Sequence, residues 1–262
     1  LDTVIQAYKI SESLCLPSMV CLDGVYLSYL SETVEIPEQR QVDGYLPPYS
    51  PTHKIIGGYK LYDIAPGFSE VNGADFMLDR YKLHMRESEC LSKTIECDIR
   101  FSEIFGRSYP PVESYLCDDA DVVLVMAGSA VGTAKEVINS MRSRGYSVGL
   151  VKIKMFRPFP KIPLIEMLGG KKKVLVIERD ISPGQGGIFC QELKGALSQC
   201  GNTRQVYGFV SGLGGADITE TLIEKAIHHA IESQEAKTDV IWLGLQKDEK
   251  EDSYDQHVIT IQ

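Results

Sequence analysis

The chain has 262 residues, room for one large domain or two modest ones. Its net charge of −9 argues against broad attraction to nucleic acid or anionic membrane, and 44% hydrophobic with 24% charged residues suits a soluble globular protein, not a disordered or fibrous one. The apolar runs fall far short of the roughly 20 residues that span a bilayer, so neither nucleic acid nor membrane is expected as a partner.

The amino end, Leu-Asp-Thr-Val, has no initiator Met, basic segment or apolar segment of a signal peptide, which marks the chain as an expected piece of a longer cytoplasmic protein. Val4, Ala7, Tyr8 and Ser11 predict a helix, and Met19 to Leu22 a buried strand ending at Asp23-Gly24. From Glu35 to Phe68, Pro37, Pro47, Pro48, Pro51 and Pro66 among glycines and tyrosines predict an ordered connector, not a core element. Phe76 to Phe105 is charged and compatible with a helix.

From Ala120 to Ile231 strand and helix patterns alternate. Val122 to Met126, VVLVM, is continuously apolar, as a strand buried on both faces requires. Gly128-Ser129 turns the chain into a helical stripe of Val131, Ala134, Val137, Ile138 and Met141, with Gly145 placed to end it. Val148 to Ile153 is the next strand, closed by Phe156-Arg157-Pro158-Phe159-Pro160, and Ile162 to Leu168 a short helix. Val174 to Ile177 is a third strand, followed by the loop Ser182 to Gly187 and a stripe of Phe189, Leu193, Ala196, Leu197 and Cys200. Gln205 to Val210 is a fourth strand, Gly212 to Gly215 a loop, and Asp217 or Thr219 opens a helix whose core face is Leu222, Ile223, Ala226, Ile227 and Ala230. Such βαβ units predict an α/β domain with an open, mostly parallel sheet and helices on both faces. The acidic tail ends in Val258 to Ile261, which could add an edge strand.

No complete active site is legible. The loops at Gly128, Gly184 and Gly212 follow strands where α/β sheets bind ligands, yet none has the lysine of a P-loop or the third glycine of a dinucleotide fingerprint. A tight turn needing positive φ is the competing reading of each. Seven cysteines are scattered without C-x-x-C, which fits reduced thiols and no disulfide framework, zinc ribbon or cluster-binding run. The histidines His53, His84, His228, His229 and His257 lack metal-ligand spacing. Arg157 and Phe159, stiffened by two prolines, are candidates either for a subunit contact or for packing onto their own sheet. The candidate interface or ligand loops are therefore Gly128, Ser129, Arg157, Phe159, Gly212, Gly214, Gly215 and Asp217, with no catalytic, cofactor-binding or metal residue assigned.

An ordered series of segments resembles the α subunit, or the corresponding region of the single-chain enzyme, of the 2-oxoacid:ferredoxin oxidoreductases, the pyruvate enzymes above all. The series comprises Asp23-Gly24 with Leu27-Ser28, Glu35-Ile36-Pro37, Tyr45-Leu46-Pro47-Pro48-Tyr49, Phe105-Gly106-Arg107-Ser108-Tyr109, Asp119-Ala120-Asp121, Gly128-Ser129, Gly132-Thr133-Ala134-Lys135, Phe156 to Pro160, and Gly212 to Gly215 with Asp217-Ile218-Thr219. It covers nearly the whole chain up to about residue 230. The resemblance implies conversion of a 2-oxoacid and coenzyme A to an acyl-CoA and CO₂ on thiamine diphosphate with Mg²⁺, with electrons passing through iron–sulfur clusters to ferredoxin or flavodoxin. It implies that residues 1–111 are the end of a thiamine pyrimidine-binding domain plus a connector. Residues 113–241 would then be similar to the carboxy-terminal domain of transketolase, and 246–262 an acidic tail.

The same resemblance places the cofactor-activating residues ahead of Leu1, and the diphosphate, the Mg²⁺ and the clusters on β, γ and δ-type subunits, so that none of these groups is expected to be held wholly by this chain. Val25, Tyr29, Leu30 and Ala216 depart from the family pattern, which leaves pyruvate, 2-oxoglutarate, a branched-chain 2-oxoacid and oxalate as candidate substrates. Because ferredoxins are usually acidic, the charge of −9 suits a scaffold better than an electron exit. Two alternatives stand beside this reading: a nucleotide or small-ligand module using the Gly128, Gly184 and Gly212 loops, and a non-catalytic assembly paralogue.

Overall fold

The computed structural model describes residues 1–50, 73–199, 205–236, 240–245 and 258–259. Most of the connector, Cys200 and nearly all of the acidic tail lie outside them. The chain divides into two compact units, one of Leu1–Cys21 with Ser31–Pro111, the other of Leu22–Leu30 with Val112–Gln262.

Among the described residues the first unit is helical: α1 (Asp2–Leu14), α3 (Gln39–Tyr45) and α4 (Gly73–Phe105), while the short α2 (Gly24–Tyr29) belongs to the second. The strand expected at Met19 to Leu22 is not formed. Met19 and Leu22 are largely exposed in an irregular segment, because an apolar run without a partner strand gains nothing from extending. The helix expected near the amino end is present, but its buried face is not the Val4–Tyr8 stripe. Val4 and Tyr8 are exposed, and Ile5, Gln6 and Leu14 are buried. A polar pair sets that face: Gln6 Nε2 donates to Asp98 Oδ1 at 2.9 Å, while the buried Asp98 also accepts from Tyr109 N at 2.6 Å and Ser108 Oγ at 2.7 Å. An unpaired buried carboxylate is costly, so α1 turns toward the one it can satisfy.

The connector contributes to the core after all. Glu38 and Gln41 form a capping box at the start of α3, which ends in Tyr45, 1% exposed. Tyr45 packs edge-on against Phe101 at 5.3 Å between ring centres, and Phe101 stacks on Phe105 at 4.3 Å. The Tyr45 hydroxyl donates to the Cys97 carbonyl at 3.0 Å. Tyr45→Phe keeps the packing and removes this bond, so urea unfolding should show a loss of about 1 kcal/mol, against about 3 to 5 kcal/mol for Tyr45→Ala.

Among the described residues the second unit is an α/β sheet of seven strands: β1 (Val112–Tyr115), β2 (Val122–Met126), β3 (Val148–Ile153), β4 (Lys173–Glu178), β5 (Gln205–Val210), β6 (Ile241–Leu243) and β7 (Val258–Ile259). Their order is β1-β3-β2-β4-β5-β6-β7, with β1 antiparallel to β3 and every other pairing parallel. All five residues of VVLVM are buried. Val122, Leu124 and Met126 face a core built with α5 (Val131–Ser143) and α8 (Glu220–Glu232). Val123 and Val125 face another built with α6 (Lys161–Leu168) and α7 (Ile188–Ser198). The helices therefore lie on both faces of the sheet, as the alternating pattern requires.

Thr219 caps α8, its hydroxyl accepting from Leu222 N at 3.4 Å, and Gly145 takes φ 89° just past the end of α5. The strands and helices predicted between Val122 and Ala230 are present, with α7 ending at Ser198, and of the expected edge strand Val258 to Ile261 only Val258–Ile259 lie within the described residues. The additions are β1 at one edge, β6 between β5 and β7, the short α2, and a 3₁₀ turn over Leu213–Gly215 within the Gly212 to Gly215 loop.

Candidate functional site at the carboxyl edge of the sheet

The chain runs from β2 through α5 to β3 on one side, then crosses back through α6 to β4 on the other. The carboxyl ends of β2 and β4 thus border the crevice where open α/β sheets place ligands. The turn after β2 holds Gly128 and Ser129, the end of β4 carries Glu178, Arg179 and Asp180, and Gly212 follows β5.

Asp23 lies in this crevice. Its Oδ2 accepts from the Ser129 backbone N–H at 2.7 Å and stands 3.8 Å from Arg179 Nη1. Burial works to raise the Asp23 pKa, but hydrogen bonds from Ser129 and the Arg179 charge outweigh it and hold the carboxyl below the usual aspartate value. Gly128 has φ 79°, and a Cβ there would come within 3.2 Å of Asp23 Oδ2. Gly212 has φ 74°, and a Cβ there would lie 2.9 Å from Arg179 Nε. Two of the sequence-predicted glycines therefore serve as walls that leave room for an ion pair, while Gly214 borders open space.

Beside this pair, Glu178 is 5% exposed and anchors the next helix. Its Oε2 accepts from Phe189 N at 2.6 Å and its Oε1 from Cys190 N at 3.2 Å, while Asp180 Oδ1 accepts from Ile188 N at 2.9 Å. Two carboxyl groups on the first turn of α7 satisfy amides that the helix itself cannot. Burial first and Asp180 second push Glu178 up to about 8, against the lowering effect of the two amides.

Arg157 and Phe159 form a separate cluster. Arg157 Nη2 pairs with Glu192 Oε1 at 2.6 Å, and its guanidinium lies 4.0 Å from the centre of the Phe156 ring. Phe156 sits 4.5 Å from the Phe189 ring, and Phe159 packs against the core under α6 and α7. The motif thus folds back on its own unit, although the Arg157 side chain keeps 56% of its exposure. Gly215 and Asp217 are exposed. Sequence reasoning left Asp23, Glu178, Arg179 and Asp180 out of the candidate set. For Glu178, Arg179 and Asp180 the signal was the charged run Glu-Arg-Asp directly after the apolar KVLVI, at the carboxyl end of a parallel strand.

Among the described residues no three of His, Cys, Asp and Glu converge as a metal site, and Cys90, Cys97, Cys117 and Cys190 are buried free thiols. The described thiols do not converge as ligands of an iron–sulfur cluster. No helix among them is long and apolar enough to cross a membrane. The Gly128 loop, read alternatively as part of a nucleotide cradle, has its Ser129 amide already engaged by Asp23.

Comparison with known proteins finds a match of residues 120–223 to the pyruvate:ferredoxin oxidoreductase core domain II. The pyruvate synthase subunit PorA of Methanothermobacter thermautotrophicus is 37% identical over 95% of this chain and 62% of its own length. The ketoisovalerate oxidoreductase subunit VorA of Pyrococcus abyssi is 35% identical over 94% of this chain and 62% of its own. A solved 2-oxoglutarate:ferredoxin oxidoreductase from Magnetococcus marinus aligns at 19% identity and a TM-score of 0.37, covering 56% of this chain and 24% of that one. The chain spans a little under two thirds of the length of the curated relatives it matches. With the motifs in family order and 37% identity over 95% of the sequence, the chain is similar to α subunits of the 2-oxoacid:ferredoxin oxidoreductases.

Proposed function

We propose that this chain is part of the α subunit of a thiamine-diphosphate-dependent 2-oxoacid:ferredoxin oxidoreductase, in which it supplies scaffold and subunit contacts. The reaction converts a 2-oxoacid and coenzyme A to an acyl-CoA and CO₂, two electrons passing to ferredoxin or flavodoxin. The observation that carries this reading is the 37% identity over 95% of the chain to a pyruvate synthase subunit. In this reading residues 1–111 are the remainder of a pyrimidine-binding domain with its connector, and 113–241 a domain similar to the carboxy-terminal domain of transketolase. In this reading thiamine diphosphate, Mg²⁺ and the clusters are held with β, γ and δ-type subunits.

The chemistry available at the carboxyl edge is positional. Asp23, Arg179, Glu178 and Asp180 are engaged with amides or with one another, so they fix loops and do not present a nucleophile. Arg157 is the candidate subunit contact, being a half-exposed guanidinium on a proline-stiffened loop. Affinity purification of the tagged protein from its host should bring down a thiamine-diphosphate-binding partner in stoichiometric amount. Arg157→Ala should weaken that association. Recovery of the protein alone at native expression would contradict the reading.

A further inference from the structure

Asp23 stands at the N-cap position of α2, with φ −63° and ψ 131°, the place where an aspartate ordinarily caps its own helix. It makes no such cap. Its carboxylate turns instead to the Ser129 N–H, two residues ahead of the first residue of α5, and toward Arg179 at the end of β4. The segment that carries it, Leu22–Leu30, belongs to the sheet unit, whereas the chain on either side of it belongs to the other.

The position Asp23 takes has the features of an oxyanion receptor: a switch-point crevice, a backbone N–H before a helix, an arginine and a turn kept free of a Cβ at Gly128. We propose that this crevice is a carboxylate receptor whose ligand is the chain's own Asp23, and that the bound side chain is the latch holding the Leu22–Leu30 excursion to the Gly128–Ser129 turn. Asp23 is then a positioning residue, and the receptor should accept a free carboxylate once the side chain is removed.

Hydrogen exchange of the purified protein, read by mass spectrometry on peptides spanning residues 22–30 and 128–133, tests this with acetate as the probe. In Asp23→Ala, exchange of both peptides should rise at least tenfold. Tens of millimolar acetate should restore most of the protection of the 128–133 peptide, whereas chloride at equal ionic strength should not. Adding Arg179→Met to Asp23→Ala should abolish the acetate effect. Unchanged exchange in Asp23→Ala, or equal responses to acetate and chloride, would overturn the proposal. Should Asp23→Ala fail to fold, Asp23→Asn keeps the shape and removes the charge. Faster exchange at residues 128–133 supports the latch, and wild-type exchange overturns it.

Discussion

Gly187→Ala should destabilise the protein by roughly 3 to 5 kcal/mol, a large effect for the addition of one methyl group. Gly187 has φ −70° and ψ 142°, a conformation any residue adopts, so the backbone opposes nothing. The obstacle is steric. A Cβ at this position would fall 1.7 Å from Glu178 Oε1, 2.2 Å from its Cδ and 2.9 Å from its Cγ. The whole carboxyl group must then leave a buried site, and the Phe189 and Cys190 amides at the start of α7 lose their acceptor. Each buried amide left unpaired costs about 1 to 3 kcal/mol. A double-mutant cycle isolates the cause. In a Glu178→Ala background the space is empty and Gly187→Ala should cost under about 1 kcal/mol, giving a coupling of at least about 2 kcal/mol in urea unfolding. Additive effects would contradict this account of the site.

Glu178 also sets how stability should depend on pH. Its carboxyl is raised from the ordinary value of 4.5 to about 8, by burial first and the adjacent Asp180 second. The folded state therefore binds a proton more tightly than the unfolded chain does. The sign follows: the stability contributed by the protonated group is fully present below about pH 4.5 and is lost as pH rises through about 8. With one pKa unit worth about 1.4 kcal/mol, the span corresponds to on the order of 3 to 5 kcal/mol. Glu178→Gln cannot ionise. Its stability relative to the wild type should rise steadily between pH 5 and pH 8, as measured by urea midpoints at several pH values. Parallel pH profiles for the two proteins would contradict the assignment.

The sheet was legible because its strands are buried on both faces. VVLVM and KVLVI have no polar alternation to confuse them, and the helices between them carry apolar stripes at 3.6-residue spacing. The shorter outer strands were not. β6 is only Ile-Trp-Leu, and β1 is Val-Glu-Ser-Tyr, too short and mixed for a periodicity to register. In the helical unit the errors have one cause, since apolar content stood in for burial. Met19 is apolar and exposed, whereas Gln6 and Asp98 are polar and buried because they meet across 92 positions of the chain. The same limit applies to the candidate site. Gly128, Ser129 and Gly212 stood out as turn residues, but Asp23 lies 106 residues before Ser129, and no local pattern pairs them.

The resemblance to the 2-oxoacid:ferredoxin oxidoreductases is legible in the order of the motifs. The most direct test of the account is 2-oxoacid-dependent reduction of a viologen acceptor, with thiamine diphosphate and coenzyme A, by the complex assembled with and without this protein. The account predicts coenzyme-A-dependent turnover by the complete complex, and none by this chain alone or by its partners alone. Equal turnover by the partners without it, or turnover by the isolated 262-residue chain, would contradict the account.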